Sequence, residues 1–261
     1  MAENRYKDIC DKTINAVKSV GEYIRAQRKD FTHDKVEFKG AHNLVSYVDK
    51  QAEIMLIEEL RTICPEAGFI TEEGGAEYNG EQVRWIIDPL DGTTNFVHGM
   101  PPYCVSVALM DGDNVVVGVV YEVTLDEMFY AWEDSPAYLN GAKISASTID
   151  NLSNALVAIG FSHSAIDIDG YLVKVAEYQK NTDGIRRVGS AAADLVYVAC
   201  GRLDAFAQER LSPWDVAGGA FIAQRAGAVV TDNSGGNDYI FGGQIVATAP
   251  AIFKDFIATV D

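Results

Sequence analysis

Apolar residues recur at steps of three and four positions near the start of the chain, which is the spacing of an amphipathic helix. One such run predicts a long N-terminal helix whose inward face is formed by Tyr6, Ile9, Cys10, Thr13, Val17, Val20 and Ile24. A second run predicts a helix from about Asp49 to Ile63. The step from Cys64 to Pro65 ends this second helix, because the residue before a proline avoids helical geometry.

Short apolar segments separated by turn residues follow these helices and predict strands. The expected strands in this part of the chain are residues 69–70, 83–87, 105–110, 115–121 and 127–132. The sequence Asp-Gly-Asp-Asn at 111–114 predicts a hairpin between two of them, and the Asn140-Gly141 turn extends the hairpin into a meander.

The second half of the chain alternates between strand and helix patterns. The expected strands are residues 155–159, 204–207, 228–231 and 244–247, and the expected helices are residues 171–178, 190–199 and 213–226, with a terminal helix after Pro250. No linker, repeat or low-complexity tract interrupts the sequence. We therefore expect an α+β fold with mixed sheets covered by helices, as one domain over residues 1–261 with two intimately packed halves, roughly 1–150 and 151–261.

Composition narrows the classes of function. The chain has 261 residues, of which 48% are hydrophobic, and a net charge of −17 at pH 7, which argues against a nucleic-acid or anionic-membrane partner. No apolar run approaches the length of a membrane span, and the N-terminus lacks the apolar stretch of a signal peptide. The cysteines at 10, 64, 104 and 200 have no metal-ligand spacing, so we expect buried free thiols and a cytoplasmic location.

The residues most suited to metal binding or catalysis are concentrated in the run from Trp85 to Phe96. It begins as an apolar strand and continues into Asp88 and Asp91, which are separated by a stiff Pro-Leu step. Carboxylates are ligands of hard cations such as Mg²⁺, and the Gly-Thr-Thr sequence after Asp91 presents backbone N–H groups that suit an anion. A polar turn capped by the aspartates is the structural alternative, but it requires neither the proline nor the Gly-Thr-Thr continuation. A metal and a phosphate on one loop indicate phosphoryl transfer.

The sequence Asp-Pro-Leu-Asp-Gly-Thr-Thr-Asn-Phe at 88–96 resembles the first signature of the inositol monophosphatase family of lithium-sensitive, Mg²⁺-dependent phosphatases. Residues 69–73 resemble the Glu-Glu motif of that family, and residues 213–219 resemble its Trp-Asp signature. Residues 188–192 and the Asn140-Gly141 pair spread the resemblance over nearly the whole chain. The resemblance implies the layered α/β/α/β/α sandwich of the sugar phosphatase fold and lithium sensitivity.

The resemblance also implies two or three bound Mg²⁺ ions. The metal ligands that it implies are Glu72, Asp88, the Leu90 carbonyl, Asp91 and Asp215, with Glu73 near a more loosely held additional ion. In this arrangement Asp88 bridges two ions, Glu72 and Leu90 serve the first, and Asp91 serves the second.

Two of these motifs have structural alternatives. A Glu-Glu-Gly-Gly sequence alone is most often a solvated loop. The sequence Ser-Pro-Trp-Asp at 212–215 has the pattern of a helix capping box, in which Asp215 would accept from the backbone at the start of the helix. The capping function and the metal function are compatible, because a carboxylate fixed at a helix start is rigid.

The catalytic residues implied by the resemblance are Thr93, Asp49 and Glu72, and Asp49 pairs with Thr93 to orient the attacking water. Asp49 also opens a helix, where it could simply be a cap. We expect the phosphate to lie on the backbone amides of 92–94. The full set of expected substrate contacts is Asp91, Gly92, Thr93, Thr94, Gly189, Ser190, Ala191 and Gln208.

The sequence and the resemblance therefore predict a Mg²⁺-dependent phosphomonoesterase whose substrate is a small phosphorylated polyol, with inositol 1-phosphate as the first candidate. We expect the protein to be a homodimer and to have no nucleic-acid or membrane partner. A sugar bisphosphatase of the fructose-1,6-bisphosphatase type and a nucleotide 3′-phosphatase remain alternatives. A Ca²⁺-binding module around Asp111 fails on ligand spacing, and a catalytically silent relative is disfavoured by the intact acidic set. Inositol-preferring relatives carry an acid seven residues before the Trp-Asp aspartate, where this chain has Gln208 beside Glu209. An amide offers one acceptor and one donor, so we expect a weaker preference for inositol phosphates.

Overall fold

Two long helices cover one face of a mixed sheet in the first half of the chain. The computed structural model describes residues 2–32, 36–40, 43–161 and 168–259, with side chains described for 5–32, 46–161 and 169–259. The helices are α1 (Ala2–Lys29) and α2 (Tyr47–Ile63), and the hairpin between them is β1 (Val36–Gly40) and β2 (Asn43–Ser46). The strands of the sheet are β3 (Gly68–Thr71), β4 (Val83–Asp91), β5 (Cys104–Asp111), β6 (Asn114–Glu122), β7 (Glu127–Trp132), β8 (Tyr138–Leu139) and β9 (Ala142–Lys143), with the short helix α3 (Thr93–His98) after β4. They are ordered β3 to β9, and only the β3–β4 pair among these described strands is parallel.

A second sheet and four helices form the rest of the fold. The strands are β10 (Leu156–Ile159), β11 (Gly184–Arg186), β12 (Ala205–Glu209), β13 (Val229–Thr231) and β14 (Gln244–Thr248), in the order β11-β10-β12-β14-β13. The helices are α4 (Ile168–Asn181), α5 (Ala191–Ala199), α6 (Pro213–Arg225) and α7 (Phe253–Ile257), with 3-10 turns at Leu152–Asn154 and Pro250–Ile252. Strand β10 is parallel to β11 and β12, and β14 is antiparallel to β12 and β13.

These elements stack in five layers. Helices α1 and α2 lie on one face of the seven-stranded sheet, and α5 and α6 lie between that sheet and the five-stranded one. Helices α4 and α7 cover the outer face of the second sheet, where Tyr178 stacks on Phe256. The α+β class and the α/β/α/β/α layering expected from the sequence are confirmed. None of the helices in the described part of the chain combines the length and apolar character that a bilayer span requires.

Strand β4 differs from its expected bounds. The sequence predicts a strand that ends at residue 87 and a loop from Asp88, whereas the strand continues to Asp91 with an irregular step. Asp88 pairs with Ser106 and Asp91 pairs with Cys104, so three residue steps on β4 match two on β5. Proline has no N–H to donate to the ladder, and one extra residue is accommodated as a bulge. The bulge keeps both aspartates on a rigid strand.

Several short elements were not expected from the sequence. They are β1, β2, α3 and β11, whereas β8 and β9 flank the Asn140-Gly141 turn that was expected to extend the meander. The Gly-Thr-Thr sequence, expected as a turn, begins α3 at Thr93, with Gly92 in a left-handed conformation at φ 91°. Runs of a few residues carry too little periodicity to be recognised, and their conformation depends on neighbours that are distant in the sequence.

Helix α6 approaches the seven-stranded sheet closely through glycines. A Cβ atom on Gly118 of β6 would lie 2.9 Å from the Gly218 carbonyl oxygen of α6 and 3.1 Å from the Phe221 ring. On the same helix, a Cβ atom on Gly219 would lie 2.7 Å from Leu195 of α5. Glycine inside a helix costs about 1 kcal/mol relative to alanine, and here close packing on both sides offsets that cost. This packing holds α6, whose first turn carries Asp215, against the seven-stranded sheet.

We predict that Gly118→Ala lowers the free energy of unfolding by about 1–3 kcal/mol, because the added methyl group must displace the α6 backbone. Denaturant unfolding followed by circular dichroism measures this loss. Gly184→Ala is the matched control, since its Cβ atom would meet only ordinary contacts at 3.5 and 3.6 Å. Equal stability of the two variants would contradict the account of the helix–sheet contact.

Candidate active site

Three aspartates from two distant parts of the chain meet at one point. Asp88 and Asp91 lie near the end of β4, and Asp215 lies in the first turn of α6. One carboxylate oxygen from each residue lies within 4.8 Å of those of the other two. Glu72, which follows β3, joins them, because its side chain forms a hydrogen bond with that of Asp88. The structure thus brings together the four acidic side chains that the sequence singles out as metal ligands.

Two of the four acids also have the structural roles that the sequence offered as alternatives. Asp88 Oδ1 accepts a hydrogen bond from the Leu90 backbone N–H at 3.0 Å, which is the contact of an Asx turn. Asp215 Oδ2 accepts from the Ser212 N–H at 2.6 Å, within a capping box at the start of α6. These bonds fix the direction of each carboxylate, so the turn and cap roles support the placement of the cluster.

Asp91 is held by the second half of the chain. Its Oδ2 atom accepts hydrogen bonds from the Ser190 hydroxyl at 2.6 Å and from the Ala192 backbone N–H at 2.7 Å. Both donors lie at the start of α5, where Ser190 is the N-cap. The cluster therefore lies where the first sheet meets both helices of the middle layer.

The three aspartates of the cluster have pKa values above the ordinary range. Burial raises the pKa of Asp88 well above its ordinary value, and the charges of Glu72, Asp91 and Asp215 add to the effect. Burial raises the pKa of Asp91 to about 6 against the opposing effect of its hydrogen bonds. Burial and the charge of Asp91 raise the pKa of Asp215 to about 8. At neutral pH the cluster therefore retains protons unless another positive charge takes their place.

The chemistry of the donor set fits a hard divalent cation. Among the residues that the structure describes, the members of the cluster are all carboxylates, with no imidazole or thiolate. Oxygen ligands of this kind suit Mg²⁺, Ca²⁺ or Mn²⁺, whereas Zn²⁺ and Cu²⁺ sites draw on nitrogen and sulfur. A bound cation would also favour the charged forms of these acids, and so oppose the burial and the neighbouring charges that raise their pKa values.

A second polar group lies beside the cluster. Thr93 Oγ1 lies 2.9 Å from Asp49 Oδ1 and 3.0 Å from the Leu90 carbonyl oxygen. The other oxygen of Asp49 accepts from both the backbone N–H and the hydroxyl of Ser46, at 2.9 and 2.6 Å. Burial raises the pKa of Asp49, and the hydrogen bonds from Ser46 and Thr93 oppose that shift. Asp49 is therefore both a helix cap and the partner of Thr93.

The loops around Gly92 and Gly189 come into close contact. A Cβ atom on Gly92 would lie 3.1 Å from the Pro102 carbonyl oxygen and 3.4 Å from that of Gly189. Both glycines have φ near +90°, which residues with a side chain rarely adopt. Thr94, in the first turn of α3, is exposed, and Ala191 is buried. The expected substrate contacts at 92–94 and 189–191 therefore form two sides of one region.

Asn95 connects these two sides by hydrogen bonds, and this role was not predicted from the sequence. Its buried side-chain amide donates to the Pro102 carbonyl at 2.8 Å and to the Val188 carbonyl at 2.9 Å. The only available signal was its position directly after Gly-Thr-Thr. An amide that bridges segments 93 residues apart cannot be assigned from a local pattern.

Gln208 and Glu209 point to opposite faces of β12. The Gln208 side chain lies over Gly160, where a Cβ atom would meet its Oε1 atom at 1.6 Å. Glu209 is exposed and forms an ion pair with Lys174 of α4 at 3.1 Å. Because successive side chains of a strand point to opposite faces, Glu209 cannot take the place of the acid that is missing at 208. Glu73, the expected ligand of an additional ion, is partly buried in the loop before β4.

Comparisons with known proteins agree with this architecture. A family model described as the inositol monophosphatase family matches residues 7–261. A protein named Nus factor SuhB from Vibrio cholerae is 39% identical over 240 residues, which cover 91% of this chain and 90% of the relative. A protein named inositol-1-monophosphatase from Mesorhizobium japonicum is 35% identical over 249 residues, covering 95% and 94%.

Two solved structures are similar to this chain over nearly their whole length. The extragenic suppressor protein suhB from Bartonella henselae superposes with a TM-score of 0.92 at 34% identity, covering 96% of this chain and 97% of that one. An IMPase from Thermotoga maritima superposes with a TM-score of 0.88 at 33% identity, covering 97% and 96%.

The raised pKa of Asp215 predicts a specific pH dependence of stability without divalent cations. A raised folded-state pKa means that the native protein binds more protons than the unfolded chain. The contribution of Asp215 to the free energy of unfolding is therefore largest below about pH 4 and is lost as pH rises toward about 8. Asp215→Asn cannot ionise and should therefore become progressively more stable than wild type over this range. Denaturant unfolding in a chelator measures the difference.

Asp150→Asn, an exposed site, is the control and should show no such trend. Saturating Mg²⁺ should reverse the order, because wild type then gains the binding free energy of the ion. A difference between Asp215→Asn and wild type that stays constant with pH would contradict the assignment.

Proposed function

Because the chain belongs to the inositol monophosphatase family, and so is a phosphatase, we propose that it is a Mg²⁺-dependent phosphomonoesterase for a small phosphorylated polyol, with inositol 1-phosphate as the first candidate. The observation that carries the proposal is the buried cluster of Asp88, Asp91, Asp215 and Glu72. Close relatives bear both the names inositol-1-monophosphatase and Nus factor SuhB, so membership alone does not select the substrate.

The ligand set of the proposal follows the geometry of the cluster. Glu72, Asp88, Asp91, Asp215 and the Leu90 carbonyl would hold two or three ions. Glu73 would contribute to the most weakly bound one. Bound Mg²⁺ supplies positive charge to phosphate oxygens and lowers the pKa of water. The phosphate would lie on the amides of 92–94, with the 189–191 segment on its other side.

Thr93 and Asp49 would orient the attacking water. The Thr93 hydroxyl has one proton, which it can donate to Asp49, and this leaves an Oγ1 lone pair to accept from a water O–H. Asp49 is in turn fixed by two donors from Ser46, so the hydroxyl has a defined direction. No cysteine, histidine or serine nucleophile is required, because water attacks the phosphorus directly in this proposal.

The remaining properties follow the same proposal. The thiols at 10, 64, 104 and 200 are free, which supports a reducing cytoplasmic location. The net charge of −17 supports a small-molecule partner over nucleic acid or a membrane. Inhibition by Li⁺ and a homodimeric assembly are proposed from the family resemblance. A sugar bisphosphatase or a nucleotide 3′-phosphatase is the second candidate, supported by Gln208.

Phosphate release in Mg²⁺ tests the proposed function. Inositol 1-phosphate, sugar phosphates and nucleotide 3′-phosphates are assayed with wild type and with Asp88→Asn. We expect wild type to turn over at least one polyol phosphate and the variant to lose activity by orders of magnitude while remaining folded, because Asn keeps the shape and removes the charge. Near-wild-type turnover by Asp88→Asn would contradict the metal-site assignment.

Thr93→Ala should lower kcat by about 10²–10⁴-fold, which is the usual contribution of a positioned proton acceptor. The Mg²⁺ concentration for half-maximal activity should change much less than kcat. Initial rates over a Mg²⁺ series separate the two quantities. Recovery of the full rate at high Mg²⁺ would show that Thr93 serves only the metal or the turn.

Gln208→Glu should raise kcat/KM for inositol 1-phosphate relative to sugar phosphates by roughly five- to tenfold. A carboxylate accepts from two hydroxyls, and hydrogen bonds to charged groups are stronger by about 1 kcal/mol. Glu209→Gln is the matched control, since that side chain lies on the opposite face of β12. Strong inositol 1-phosphate preference in wild type with no gain in Gln208→Glu would remove Gln208 as a selectivity determinant.

A further inference from the structure

Helix α2 carries two buried carboxylates on one face. Asp49 and Glu53 are four residues apart, which places them one turn apart on the same side of the helix, and each is 1% exposed. Like charges at this spacing destabilise a helix, and a buried charge without partners is costly. Hydrogen bonds with Ser46 and Thr93 offset the cost of burying Asp49. The contacts described for the acidic cluster do not include Glu53, so the burial of Glu53 needs a separate explanation.

The Glu53 carboxylate holds the loop that follows β3. Its Oε2 atom accepts a hydrogen bond from the Glu73 backbone N–H at 2.8 Å, and its Oε1 atom accepts from the Gly75 N–H at 2.6 Å. One carboxylate therefore binds two backbone amides of one loop with both of its oxygens. The loop begins with Glu72, which is adjacent to the first bound amide and contacts Asp88.

The glycines of this loop match the Glu53 carboxylate in shape. A Cβ atom on Gly75 would lie 2.7 Å from Glu53 Oε1 and 3.2 Å from the Ile57 side chain. Gly74 has a φ of +73°, a conformation that residues with side chains rarely adopt. The Gly-Gly pair thus lets the backbone turn around the carboxylate at contact distance, rather than serving as a loose solvated loop.

We propose that Glu53 is a positioning residue that fixes the 72–75 loop and thereby sets the affinity of the carboxylate cluster for its divalent cation. The proposal rests on the proposed function, because it takes Glu72 as a metal ligand. One face of α2 then organises both parts of the site, since Asp49 holds the water-orienting Thr93 and Glu53 holds the ligand loop. In this proposal neither oxygen of Glu53 coordinates the metal.

A carboxylate is the side-chain group that suits this position. Hydrogen bonds from N–H groups to a charged oxygen are roughly twice as strong as those to a neutral one. Glutamine offers one acceptor and one donor, so in Glu53→Gln one of the two amides would face an NH₂ group. Residues that orient metal ligands in this way typically change metal affinity by about 10–100-fold when replaced.

The test compares wild type with Glu53→Gln and with Glu58→Gln, a matched control at an exposed position of the same helix. The first readout is the Mg²⁺ concentration for half-maximal thermal stabilisation without substrate, and the second is the same midpoint for phosphate release. We expect Glu53→Gln to raise both midpoints by about 10–100-fold, with kcat at saturating Mg²⁺ changed far less. Glu58→Gln should match wild type.

Gly75→Ala is a second variant, which alters the contact between Glu53 and the loop from the loop side. It replaces Glu53→Gln in the test if that variant does not fold. It should shift both midpoints in the same direction. A Glu53→Gln protein that is less stable without metal but keeps the wild-type Mg²⁺ midpoints would overturn the inference and leave the proposed function intact. A wild type that responds to Mg²⁺ in neither readout would overturn the proposed function, and the inference with it.

Discussion

The repulsion among four acidic side chains gathered in one place is the constraint on which the rest of the site depends. Burial raises the pKa values of the three aspartates Asp88, Asp91 and Asp215, and the charges of neighbouring acids, Glu72 among them, raise those of Asp88 and Asp215 further. Such a cluster persists only if rigid elements hold it, and only protons or a cation can neutralise it. A bound divalent cation would neutralise the cluster at neutral pH, and this would link the stability of the site to its proposed activity.

The fold meets this constraint by fixing the acids from two layers, the seven-stranded sheet and the helices of the middle layer. The bulge at Pro89 keeps two of them on β4, and the glycine contacts at 118 and 218 bring α6 against β5 and β6 of the same sheet. Helix α2 contacts the neighbouring segments, because Asp49 accepts a hydrogen bond from Thr93 and Glu53 accepts one from the backbone of Glu73. Asn95 joins α3 to the segment before α5. The polar residues in these contacts have ordinary structural roles as caps and turn partners, and those roles give the site its rigidity.

The main helices and strands and the Asp88–Asp91 pair could be predicted because each leaves a local signal in the sequence, whereas the layering and the metal roles of Glu72 and Asp215 were implied by the family resemblance. Amphipathic periodicity marks α1 and α2, and the Asp-Pro-Leu-Asp-Gly-Thr-Thr run marks the end of β4. Contacts between distant residues leave no such signal. Asp91 and Ser190 are 99 positions apart, and Glu53 and Gly75 are 22 apart, so nothing near Glu53 distinguishes it from a surface residue of an acidic helix. The extension of β4 was missed because a proline normally ends a strand, whereas here it lies in a bulge.

The central claim is that protons and a divalent cation compete for the same buried carboxylates. The most direct measurement is calorimetric titration of the metal-free protein with Mg²⁺ at pH 7 in two buffers of different ionisation enthalpy, which counts the protons released on binding. The account predicts saturable binding with net proton release in wild type, and weaker binding with less proton release in Asp88→Asn. Binding without proton release, or binding that Asp88→Asn leaves unchanged, would contradict it.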